Sequence, residues 1–106
     1  WDGAALIIAY APCIAHGIDM RDVQEIEKDA VQCGYFPLYR YHPANGLMLD
    51  SKAPDGDFQA FLMRQGRFAA LRRSDPAKSE TLCKMAEEAA RRRWNLLKML
   101  KNREMT

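Results

Sequence analysis

Cysteine is scarce in this chain, and what there is lies scattered. Cys13, Cys33 and Cys83 are the only three. An odd, sparse set makes no disulfide framework and fits a reducing, cytoplasmic setting. No CxxC pair occurs, so the chain alone cannot close a four-cysteine metal or cluster site. Charge of one sign is lacking too. With 16 Lys+Arg against 14 Asp+Glu the net charge is +2, which implies neither a nucleic-acid nor a membrane partner. No apolar run approaches the roughly 18 residues of a membrane span. No basic stretch leads into an apolar core as in a signal peptide. Internal repeats and low-complexity segments are absent as well. What remains is a globular composition, 48% hydrophobic and 28% charged over 106 residues, enough for one small domain.

The most telling stretch is Ala4 to Gly17. Residues 5–11 are short, uncharged and β-branched in the middle, which predicts a strand buried on both faces. Pro12 lacks an N–H and stops the ladder. Cys13 then stands just past the carboxyl end of a parallel strand, where open α/β sheets place ligands and cofactors. Such a strand needs neighbours on both edges, and at most two other short strands are in sight. The chain, opening on Trp1, is therefore expected to be the carboxy-terminal piece of a larger protein.

Asp19 and Asp22 offer caps for a helix over about 22–33, with Val23, Ile26, Ala30 and Cys33 on one stripe and Gly34 just past its end. Tyr35 to Tyr41 is aromatic-rich and reads as a second strand, at an edge or bulge because of Pro37. Strand, helix and strand in this order suggest a right-handed βαβ unit. A turn at 42–46 leads to a short strand at 47–49, and 50–56 is a loop. Asp57 caps a helix expected to run past Gly66 to about Arg73. Ser74-Asp75-Pro76 starts a last helix, to about residue 102 and about 40 Å long. Its apolar side is read as Leu82, Met85, Ala86, Ala89, Leu96, Leu97 and Leu100, interrupted by Arg93. The expected class is α/β, with two to three short strands and three main helices.

Several residues have a plain reading beside a sharper one. Cys33 on a helix stripe is a buried thiol rather than a ligand, and Cys83 is similar. His16 is a structural histidine before it is a catalytic one, and His42 before Pro43 is a turn residue. Asp50, Lys52, Asp55 and Asp57 lack the Gly and terminal Glu of a calcium loop. Arg91-Arg92-Arg93 sits with Glu87 and Glu88 at i,i+4 spacing, which makes a solvated helix face rather than a nucleic-acid site. Trp94 is positioned to dock the helix against a neighbour.

Ala9-Tyr10-Ala11-Pro12-Cys13-Ile14-Ala15-His16-Gly17 resembles the end of the thiamine-diphosphate domain of pyruvate:ferredoxin (flavodoxin) oxidoreductases. The likeness continues in order. Ala30 to Tyr41 resembles the family's AV-x-x-GYW-x-LYRY stretch, and Leu49-Asp50-Ser51-Lys52-Ala53-Pro54-Asp55-Gly56 its LDSK-x-PDG. Phe61-Leu62-Met63 with Arg67-Phe68-Ala69 and Leu71 follows the segment after that. The loop Asn45-Gly46-Leu47-Met48 departs from the pattern. The match covers about residues 3–75, and the last helix agrees in character more than in letters.

The resemblance implies a cytoplasmic enzyme of anaerobic metabolism. It would decarboxylate pyruvate oxidatively with coenzyme A and pass electrons through [4Fe–4S] clusters to ferredoxin or flavodoxin. Thiamine diphosphate and Mg2+ would supply the carbon chemistry. By the match, Cys13 is the last of four thiolate ligands to the cluster nearest the thiamine. The other three lie upstream in the family, as do the diphosphate- and magnesium-binding segments. Residues 1–75 would then be the end of the thiamine-diphosphate domain and 76–106 a helical extension. The isolated piece is expected to be inactive and to bind no cofactor alone. Its partner would be the rest of the enzyme, with no nucleic acid and no membrane. Exposed edges are compatible with a homo-oligomer. The reading from another class is a small cofactor-free α/β interaction domain.

Overall fold

The computed structural model describes residues 1–13 and 17–104. Its class is α/β, with helices built around one two-stranded sheet. A single 3-10 turn, Met20–Asp22, leads into α1, Val23–Gln32. Asp19 caps the turn, its Oδ1 accepting from Arg21 N–H at 2.9 Å. Asp22 makes no side-chain cap bond. Gly34 ends the helix with φ 86°, a left-handed conformation that costs a residue with a Cβ. Phe36 N–H then donates back to Ala30 O at 3.0 Å.

This reversal consumes residues 33–36, so the second strand starts later than its aromatic run predicts. β1 is Tyr39–His42 and pairs antiparallel with β2, Gly46–Leu49, with His42 opposite Gly46. Three residues bridge the strands. Asn45 N–H donates to His42 O at 3.0 Å, and Gly46 takes φ 76°, the left-handed position such a hairpin needs. His42 Nδ1 accepts from Ala44 N–H at 3.0 Å, which makes it the turn residue expected. Arg40 clasps Asp50 through two nitrogens at 2.9–3.1 Å, so Asp50 serves the hairpin.

The expected first strand and its parallel crossover are not formed. Residues 5–11 carry no strand, and Leu6, Ile7 and Ile8 are 85%, 89% and 66% exposed. A strand buried on both faces requires partner backbones at both edges. Among the described residues there is one hairpin, whose strands pair with each other.

Asp57 caps α2, Phe58–Met63, its Oδ1 accepting from Ala60 N–H at 3.0 Å. The single helix expected here is broken in two. Gln65 is extended, and α3, Gly66–Ser74, starts afresh. Gly66 N–H donates to Gly17 O at 3.2 Å, a partner that no local propensity reveals.

Pro76 opens α4, Pro76–Glu104, whose 29 residues span about 43 Å. Asp75 Oδ1 caps it through Lys78 N–H at 3.1 Å. Its packed face is Ser79, Cys83, Ala90, Trp94 and Leu97, which shares only Leu97 with the aliphatic side expected. Leu82, Met85, Leu96 and Leu100 face outward. Small side chains at 79, 83 and 90 let the helix approach α2 and α3 closely, which a leucine face would prevent.

The core joins Ile18, Ile26, Ala30, Cys33, Phe58, Phe61, Leu62, Cys83 and Ala90. Tyr35 is its hub, with ring centroids 5.0 Å from Phe61 and 6.1 Å from Phe58. No described helix is long and apolar enough to cross a membrane.

Candidate functional site

Cys13 is exposed, while the residue before it is buried. That contrast is built from both sides. Upstream, the Tyr10 ring stacks on the core aromatics, 5.8 Å from Tyr35 and 5.6 Å from Phe36 between centroids. Burial, aided by the nearby Tyr35 and Glu27, pushes the Tyr10 hydroxyl pKa above its ordinary value. Pro12 is buried beneath. Downstream, Gly17 lies against Gly66 at the head of α3. Ile14, Ala15 and His16, and with them any role of His16, lie outside the described residues.

The other thiols sit elsewhere. Cys33 is 7% exposed at the end of α1, its Sγ donating to Ala30 O at 3.7 Å. Desolvation pushes its pKa up, the reverse of what a ligand or nucleophile needs. Cys83 is buried in α4, its sulfur 3.9 Å from Ser79 Oγ. Both are core residues; helical spacing marks Cys33 as one, whereas Cys83 lies off the apolar side expected of its helix.

Near the other end of the core, a cleft of about 290 Å³ is lined by Cys33, Gly34, Pro54, Phe58, Glu87 and Trp94 among others. Trp94 thus docks on this chain's own loop. Glu87 accepts from Gln59 Nε2 at 2.9 Å. Arg93, which seemed only to interrupt the apolar stripe, donates to Tyr35 O.

A four-thiolate cluster does not fit within these residues. Among the described residues no three His, Cys, Asp or Glu are grouped to hold a metal ion. One ligand of a shared cluster does fit: an exposed thiol on a short stretch fixed by Tyr10 and Pro12. The signal that sequence reading missed is the glycine pair. Gly17 and Gly66 are 49 positions apart by numbering, and only their contact gives either a role. One more feature stands beside it: Gln65 is 4% exposed and its Nε2 meets no acceptor among the described residues.

No protein-family model matches the chain. Individual relatives do. The chain is 45% identical over 106 residues to a pyruvate:ferredoxin oxidoreductase of Moorella thermoacetica, covering 94% of this chain and 9% of the relative. It is 41% identical over 112 residues to a pyruvate-flavodoxin oxidoreductase of Klebsiella pneumoniae, covering 98% and 10%. The chain belongs to the pyruvate:ferredoxin (flavodoxin) oxidoreductase family. It spans about a tenth of the length of these relatives. A third relative, the mitochondrial pyruvate dehydrogenase [NADP(+)] of Euglena gracilis, is 42% identical over 91 residues, covering 77% of this chain and 5% of that protein. Pyruvate oxidoreductases with differently named acceptors thus share this one segment.

Proposed function

We propose that this chain is a segment of an enzyme that oxidatively decarboxylates pyruvate with coenzyme A, yielding acetyl-CoA, CO2 and reduced ferredoxin or flavodoxin. The match to pyruvate oxidoreductases over 94% of the chain carries this reading. Residues 1–75 close the thiamine-diphosphate domain, and 76–106 are its helical extension. Thiamine diphosphate with Mg2+ supplies the decarboxylation chemistry, and [4Fe–4S] clusters carry single electrons away.

The chain's own residues do two things. Residues 5–11, apolar and exposed here except for the half-buried Tyr10, join as a strand the sheet formed by the rest of the enzyme, which supplies the missing edges. Cys13 then stands at that strand's carboxyl end and gives one thiolate to the cluster nearest the thiamine. The acceptor differs among the names of the relatives. Acceptor choice therefore belongs to other parts of the enzyme.

The test is turnover. The whole enzyme, purified without oxygen, reduces ferredoxin or flavodoxin only with pyruvate and coenzyme A together, and contains thiamine diphosphate and iron. The 106-residue piece does neither. Pyruvate turnover by the piece alone, or a whole enzyme indifferent to pyruvate, overturns the reading.

A further inference from the structure

The break between α2 and α3 falls where Gly66 meets Gly17. Gly66 N–H donates to Gly17 O at 3.2 Å. A Cβ on Gly17 would stand 2.7 Å from Gly66 Cα and 2.9 Å from its nitrogen. A Cβ on Gly66 would stand 3.1 Å from both Gly17 Cα and Gly17 O. Gly17 also holds φ 74°. Here two backbones touch: Gly17 has no room for a side chain, and Gly66 takes one only if Gly17 gives by a few tenths of an ångström. A helix start needs no such contact, since its first N–H groups are ordinarily met by caps or water. The contact instead fixes the chain at Gly17, just as Tyr10 and Pro12 fix it on the other side of Cys13.

We propose that the Gly17–Gly66 crossing positions the Cys13 thiol, with the Tyr10 stack as its upstream counterpart. This rests on the reading of Cys13 as a cluster ligand. A ligating sulfur must be held within about 0.5 Å of its productive place by the shell behind it. Outer-shell supports of this kind tune a metal centre without touching it. Cys13 is four positions from Gly17 by numbering, and Gly17 is the first described residue after it.

The experiment uses the whole enzyme, purified without oxygen, in four variants: Gly66→Ala, Gly17→Ala, Gly46→Ala and Cys13→Ser. Gly46 provides the control, being a left-handed glycine in the hairpin turn with φ 76° and open space around a Cβ. Iron content, the paramagnetic-resonance spectrum and the midpoint potential of each cluster are read. Gly66→Ala shifts the spectrum and potential of the same cluster that Cys13→Ser removes or alters. Gly17→Ala shifts them further or loses that cluster, and Gly46→Ala leaves them as in the wild type. Should Gly66→Ala not fold, Tyr10→Leu reads the upstream anchor in the same spectrum. An unchanged spectrum in Gly66→Ala, or an equal shift in Gly46→Ala, overturns the positioning role. If Cys13→Ser itself leaves every cluster intact, the ligand reading has failed instead.

Discussion

Arg93 Nη2 donates to the carbonyl oxygen of Tyr35 at 2.8 Å, across 58 residues of chain. The bond joins the middle of α4 to the turn that closes α1. It gives a cation on an otherwise apolar stripe a reason to be there. Arg93→Ala should destabilise the 106-residue chain by about 1 kcal/mol, the usual worth of one such bond. Urea unfolding measures it, and an unchanged midpoint removes the bond from the account.

Phe61 is 3% exposed and packs against Tyr35 with centroids 5.0 Å apart. Phe61→Ala leaves a cavity under the aromatic cluster that also carries Tyr10. The expected loss is about 3–5 kcal/mol, enough to unfold a small domain of ordinary stability. Circular dichroism during thermal unfolding reads it directly.

Cys33 and Tyr10 both carry raised pKa values, chiefly through burial. In each the folded state holds the proton more tightly than the unfolded state. Their stabilising contribution is therefore complete below the ordinary pKa and lost as pH rises through the folded value. Stability should fall above about pH 9, the range where an ordinary thiol has ionised. Cys33→Ala should flatten part of that slope, as read by urea midpoints at rising pH. An identical slope in the variant assigns the effect elsewhere.

Much of this fold is legible in the sequence because its signals are local. Asp57 caps a helix, Pro76 opens one, and Gly34 closes one, each through a bond within a few residues. Cys33 reads correctly as core because its helical spacing with Ile26 and Ala30 reports burial. The failures are contacts between distant positions. Gly66 looks like a weak spot in one helix, and only Gly17 turns it into a break. The packed face of α4 is set by small residues that admit a neighbour, whereas hydropathy favours the leucines. Residues 5–11 have the composition of a buried strand but lack partner strands among the described residues. Cys13 stands out in sequence by its place after Pro12, and the aromatic support from Tyr10 appears only in three dimensions.

Ile7 is 89% exposed in this chain, yet the proposed strand buries it in the whole enzyme. Ile7→Asp should therefore change the stability of the 106-residue chain by no more than about 0.5 kcal/mol. In the whole enzyme the same charge enters a sheet interior and should cost more than about 2 kcal/mol. Equal small effects in both contexts contradict the docking of residues 5–11.

The central claim is that Cys13 is a cluster ligand, and Cys13→Ser in the whole enzyme tests it most directly. Iron is counted and the paramagnetic-resonance spectrum recorded on anaerobic protein beside the wild type. The account predicts selective loss or alteration of one [4Fe–4S] signal, with pyruvate-dependent electron transfer slowed. Unchanged iron, spectrum and turnover would contradict it and leave Cys13 as an exposed thiol at the end of a structural segment.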